Sequence, residues 1–172
     1  LMIRHPQLGS DRYGEVCDAL VSHLDIFPTL CEALDMEPPN GLRGRSLLPL
    51  LRGQAESVQD AVFSEQAWHG LFDPQRSVRT DRYRYTRRGD GPYIRVADKS
   101  PVNHWLRDLG YPKQPAGREL LFDVVFDPLE MCNRADDPDC REVLETLRSR
   151  LDAWMRDTDD PFLDETIPTP PA

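Results

Sequence analysis

Lysine is nearly missing from this chain. Of its 21 basic residues only Lys99 and Lys113 are lysines, against 30 acidic residues, and the formal net charge is -9. No nucleic-acid partner is expected, because phosphate backbones are held by clustered cations. A small anionic substrate stays open, since the local field at a site decides that and not the sum. Arginine suits sulfate or carboxylate through its planar fork; a coding bias would enrich it equally well.

Cysteine is sparse and poorly spaced for chemistry. Cys17, Cys31, Cys132 and Cys140 form no C-x-x-C pair, so a zinc site is not expected. Cys31 falls on an apolar helical face; Cys132 and Cys140 flank an acidic turn, where free thiols are the plainer reading and a bridge in an oxidising compartment stays open. No apolar run approaches the ~20 residues that cross a bilayer, so no membrane partner is expected. No signal pattern is present either, and the compartment stays open. The opening Leu1-Met2-Ile3-Arg4 reads as a strand already within a fold, as in a piece of a longer chain.

What the 172 residues do contain is enough apolar material, 39%, for one domain or the end of a larger one. Leu120 to Asp123 is a short apolar run that reads as a buried strand, and Asp127-Pro128 stops regular structure after it. Thr80-Asp81-Arg82 reads as a turn between strands Arg76–Arg79 and Tyr83–Arg87, and Ala61 to Ser64 as a further strand. These make a four-stranded antiparallel sheet. Its cover is a helix from about Asp139 to Asp157, with Leu144, Leu147, Leu151 and Trp154 on one stripe.

Upstream, Asp25 is suited to cap a helix from Ile26, whose stripe is Phe27, Leu30, Cys31 and Leu34. Ser46 is read as the cap of a short helical block at Leu47–Leu51, and Gly44-Arg45-Ser46 fails the G-x-S-x-G pattern of a nucleophile elbow. His23 and Asp25 are explained by a loop histidine and a cap, not by a catalytic dyad. An insertion over about 89–117 holds one helix, capped by Ser100 with Pro101 at its first position, on which His104 and Trp105 are expected to pack inward. Gln66 to Pro74 reads as a long aromatic loop, and the chain from Pro161 as a loose Pro-rich arm.

Three blocks in order carry a family likeness. "VSHLDIFPTLCEALDMEPPNGLRGRSLLPLLRG", "RSVRTDRYRYTRR" and "ELLFDVVFDPLEMCNRADDP" together resemble the C-terminal part of type I, formylglycine-dependent sulfatases in the alkaline phosphatase-like superfamily, with the sulfamidase and heparan-sulfatase branch nearest. The resemblance implies an α/β fold with an α+β part. Residues 1–55 would end the large α/β sheet domain, 56–160 would form the antiparallel sheet and its helix, and 161–172 an irregular tail. It also implies hydrolysis of sulfate esters or sulfamates on a sulfated small molecule or glycan. The family's chemistry uses a formylglycine in a C/S-x-P-x-R motif and a divalent cation, usually calcium. This chain contains no such motif, so no catalytic residue, metal ligand or cofactor is assigned within it.

What the resemblance leaves to this segment is the rim of the substrate pocket. His69, with Trp68 beside it, is the first substrate-facing candidate, from its expected loop placement. Arg76 is the second, with a solvated strand-edge arginine as the plainer reading. His5 is the third, with an exposed loop histidine as its plainer reading. Two other functions stay open: a phosphodiesterase or phosphonate hydrolase on the same scaffold, and a non-catalytic α+β interaction module. The oligomeric state is not legible.

Overall fold

A computed structural model describes residues 1–4, 14–68, 72–89, 101–109 and 117–164. The chain divides into two compact units, Leu1–Val62 and Phe63–Ala172. The division falls just past the polar stretch Gln54–Asp60.

In the first unit Leu1–Arg4 forms no strand, and Leu1 and Met2 are exposed. A strand exists only when a ladder satisfies its backbone, and none does so among the described residues. The first helical turn among the described residues is a 3-10 turn, His23–Asp25, followed by α1 (Ile26–Ala33) and α2 (Leu48–Leu51). The capping expectation for α1 needs correction. Asp25 stands at the cap position but gives α1 no side-chain hydrogen bond; Ser22 and Asp25 instead make a reciprocal capping box around the 3-10 turn.

The fully buried Asp25 carboxylate also accepts from Arg45 N at 2.8 Å and Gln59 Nε2 at 2.9 Å. Thr29 Oγ1 donates to Asp25 O and accepts from Leu47 N at 2.8 Å, closing the same knot. Gly44 is required by this closeness, since a Cβ there would lie 1.9 Å from Leu24 O. The expected α1 stripe is buried only at Cys31; Phe27, Leu30 and Leu34 are exposed. The helix is where periodicity put it, but its buried face is Pro28, Thr29 and Cys31, so the stripe read as apolar core is corrected. At α2 the cap position falls on Leu47, while Ser46 Oγ accepts from Leu48 N at 3.2 Å.

The second unit is a four-stranded sheet in the order β1 (Val62–Trp68), β2 (Phe72–Arg79), β3 (Tyr83–Arg88), β4 (Glu119–Asp123). β2/β3 and β3/β4 are antiparallel, with Val78 opposite Tyr85 and Tyr85 opposite Leu121. These three side chains are fully buried and lie in one row across the sheet. The outer edge of β4 is closed by its own downstream chain. Leu121 N donates to Asn133 Oδ1 at 2.9 Å and Arg134 N to Leu121 O at 2.8 Å, which blunts an edge that would otherwise pair freely.

α4 (Arg141–Asp157) packs on β2 and β3. Its buried stripe is Leu144, Leu147, Leu151 and Met155. Met155 therefore replaces the expected Trp154, whose ring is instead stacked on Phe63 at 5.2 Å. Both positions continue the helical period from Leu151, and the neighbouring strand decides between them.

Three other expectations are corrected. The stretch read as a loop from Gln66 to Pro74 is mostly strand, and only residues 69–71 join β1 to β2. Pro74 is accommodated near the start of β2, where its carbonyl accepts from Gly89 N at 2.8 Å. α3 (Pro101–Asp108) lies in the insertion as read, but His104 and Trp105 are exposed and not packed inward. Pro161–Asp164 is a 3-10 turn with Phe162 buried, so the loose arm cannot begin at Pro161. The capping of α3 by Ser100 lies outside the described residues.

Candidate functional site

Two of the residues read as substrate-facing, Trp68 and Arg76, lie on β1 and β2, and His69 follows Trp68 in the chain. β1 ends at Trp68 and β2 begins at Phe72, so His69 belongs to a three-residue junction. His69 and His5 lie outside the described residues, and Trp68 is described as a strand terminus without its side chain. The structure therefore brings Trp68 and Arg76 to neighbouring strands.

Arg76 is neither solvated nor on an edge strand. β2 runs between β1 and β3, and the Arg76 side chain is 5% exposed. Its fork grips the Asp160 carboxylate, with Nε donating to Oδ2 and Nη2 to Oδ1 at 2.8 Å. Nη1 donates to Gln66 O at 3.1 Å and Gln75 O at 2.9 Å. The face of the guanidinium lies over the Phe162 ring, 5.2 Å from its centre. Glu65 adds a weaker charge at 3.8 Å.

Burial pushes the Asp160 carboxyl up, but the hydrogen bonds from Arg76 and Phe162 N outweigh it, and its pKa lies below the usual carboxylate range. Bidentate, desolvated geometry of this sort fixes a position firmly. Here it fixes the β1 backbone two residues before Trp68. A guanidinium already holding a carboxylate and two carbonyls acts as a support beneath the junction.

Asp160 was missed by reading residues alone. Asp159-Asp160-Pro161 looks like a turn, and Asp160 Oδ1 does accept from Phe162 N at 2.9 Å, as a turn acid would. Its partner lies 84 positions away, and no local pattern carries that.

Two more charge networks bind the unit together. Glu119 accepts from Tyr85 Oη and, bidentately, from Arg148 on α4. Arg87 reaches Asp152 on α4 at 2.6 Å and Tyr85 Oη at 3.4 Å. Arg148 holds the Glu119 carboxyl below its usual range despite burial, and burial together with the Glu119 hydrogen bond pushes the Tyr85 hydroxyl up to about 12. At the far end of the sheet Arg82 pairs with Asp123 at 2.8 Å and lies over the rings of Tyr83 and Phe126.

Each of these groups is engaged by another group of the same chain, which suits holding a shape better than transferring protons. Among the described residues no group of three or more His, Cys, Asp or Glu could hold a metal ion. No nucleophile with an adjacent base stands out among the side-chain contacts above.

No protein-family model matches the chain. It is similar to an ulvan-active sulfatase of Formosa agariphila, 26% identical over 164 residues, covering 91% of this chain and 33% of that protein. It is 30% identical over 187 residues to N-sulphoglucosamine sulphohydrolase of Homo sapiens, covering 92% of this chain and 36% of that protein. A solved structure of a 2-O GAG sulfatase superposes with a TM-score of 0.62 at 27% identity, over 86% of this chain and 27% of that one. The chain thus spans about a third of the length of the curated relatives named here.

Proposed function

Because the chain belongs to the sulfatases of the alkaline phosphatase-like superfamily and corresponds to their C-terminal portion, we propose that it is part of an enzyme that hydrolyses sulfate esters or sulfamates on a sulfated sugar. The observation that carries this reading is the likeness over nine-tenths of the chain to proteins whose names specify an ulvan-active and an N-sulphoglucosamine activity. Residues up to about 55 would then be the end of the large α/β domain, and the sheet with α4 would be the smaller C-terminal subdomain.

Within that enzyme this segment supplies scaffold and part of the pocket rim. Trp68 and His69 present the β1–β2 junction to the substrate, and Arg76 is a positioning residue that holds the β1 backbone through Gln66 O. The formylglycine and the divalent cation of the family would supply the nucleophile and polarise the sulfate oxygens. Among the described residues no group of three or more His, Cys, Asp or Glu could hold that cation.

The test assays the reading frame that carries this chain for sulfate release from N-sulfated and O-sulfated glucosamine, with an aryl phosphonate monoester as the competing substrate. Sulfate release is expected. Trp68→Ala and His69→Ala are expected to raise KM about 10-fold with little change in kcat, the signature of lost substrate binding. Unchanged KM in both variants would remove these residues from the rim. Hydrolysis of the phosphonate without sulfate release would replace the sulfatase reading by a phosphonate hydrolase.

A further inference from the structure

The chain has three asparagines, Asn40, Asn103 and Asn133, and the fold treats them differently. The Asn133 amide is tied at both ends. Its Oδ1 accepts from Leu121 N at 2.9 Å and Ala135 N at 3.1 Å, and its Nδ2 donates to Glu119 O at 3.0 Å. The next nitrogen along the chain, Arg134 N, is itself held on Leu121 O at 2.8 Å. Asn103 lies inside α3 and precedes His104, so a helical ψ keeps the following nitrogen turned away from its side chain.

Asn40 has neither restraint. It precedes Gly41 in an exposed turn between α1 and α2, just after Pro38-Pro39. Gly41 takes a φ of 88°, which glycine adopts freely, and a Cβ there would meet nothing within 4 Å. Neither the Asn40 side chain nor Gly41 N enters a hydrogen bond among the described residues. An amide carbon and the main-chain nitrogen one residue further on are thus neighbours, untied and uncrowded.

We propose that Asn40 is a site of non-enzymatic modification, at which Gly41 N closes on the Asn40 amide to form a succinimide that water opens to isoaspartate and aspartate. The bond from Gly41 N to Asn40 Cγ forms, and the bond from Cγ to Nδ2 breaks. The hydrogen given up by Gly41 N leaves, in the net, with Nδ2 as ammonia. Water then adds to the ring. Cleavage between Gly41 N and Cγ leaves an ordinary peptide with an aspartate side chain. Cleavage between Gly41 N and the Asn40 main-chain carbonyl leaves the chain running through Cβ and Cγ, which is isoaspartate. Either product adds one negative charge to a chain already at -9. The two reacting groups belong to adjacent residues, so the attack is intramolecular and nothing has to reach the turn from outside. The nucleophile is the deprotonated Gly41 nitrogen, so the rate rises with pH.

The test holds the folded protein, made from the reading frame that carries this chain, at neutral and at mildly alkaline pH. Its peptides are then mapped by mass spectrometry. The expected result is the mass gain of an amide turned to an acid at Asn40 alone, with isoaspartate exceeding aspartate and faster conversion at the higher pH. Asn40→Gln, whose longer side chain closes a less favourable ring, should convert about an order of magnitude more slowly. Its melting temperature should be unchanged, because position 40 is exposed and its side chain makes no hydrogen bond.

Conversion at Asn103 or Asn133 as fast as at Asn40 would overturn the proposal, since the turn would then confer nothing. An Asn40 that stays intact in the folded protein while the free peptide Glu37–Arg43 converts would equally overturn it, because the protein would then be holding the turn shut. Aspartate formed without isoaspartate would assign the change to direct hydrolysis of the amide by water, and would remove Gly41 from the reaction.

Discussion

Removing Asp160 should cost more than any surface acid. Its side chain is 2% exposed and that of Arg76 is 5% exposed, so Asp160→Ala leaves a guanidinium buried against Phe162 with its fork half filled. Breaking a buried pair from one side costs about 3–5 kcal/mol, because a charge is left desolvated without its counterion. For a chain of this size that is roughly 10 °C or more in melting temperature. Replacing both partners, as Arg76→Met/Asp160→Leu, should restore much of the loss, because no stranded charge remains.

Acid provides an independent reading. The folded-state pKa of Asp160 lies below its ordinary 3.8, so its contribution is present above the unfolded value and is lost as pH falls through the folded one. Wild type should therefore lose this component below about pH 4, while Asp160→Asn should be flatter there. Urea unfolding of these proteins, together with the single variants Arg76→Met and Asp160→Leu, at several pH values measures both effects. A loss under ~1 kcal/mol in Asp160→Ala, or a double variant that simply sums the two single losses, would refute the buried-pair account.

Other consequences can be checked more briefly. Tyr85, raised from 10.0 to about 12, stabilises the fold fully below the lower value and loses that contribution as pH rises through the higher one; Tyr85→Phe should remove this alkaline component in thermal melts and a late-titrating phenol from the tyrosinate absorbance. Leu151→Ala, at a fully buried position on α4, should cost about 2–5 kcal/mol through the cavity it leaves, read by urea unfolding. Asp25→Ala strands the backbone N–H of Ser22 and Arg45 and the Gln59 amide, and should cost roughly 3 kcal/mol. Faster proteolysis in the Gln54–Asp60 stretch would report it, and an unchanged cleavage rate would contradict the role given to Asp25.

The residues alone determine much of the second unit. Tyr83–Arg87 and Leu120–Asp123 announce strands and about Asp139 to Asp157 a helix, each within two residues of the element found, because local periodicity is set by the backbone geometry of each element. The order of three sequence blocks also carries the family likeness. Periodicity does not say what lies across from a face. That is why the α1 stripe is bare at three of its four residues, why Met155 takes the place read for Trp154, and why Trp105 is exposed. Nor does it predict how far strands extend when both partners can lengthen together, as β1 and β2 do into the stretch read as loop. Asp25 and Asp160 look like ordinary turn acids in sequence. Only the tertiary path, which brings Arg45 and Gln59 to one and Arg76 across 84 positions to the other, turns them into buried anchors, since a carboxylate's role is decided by the donors that replace its water.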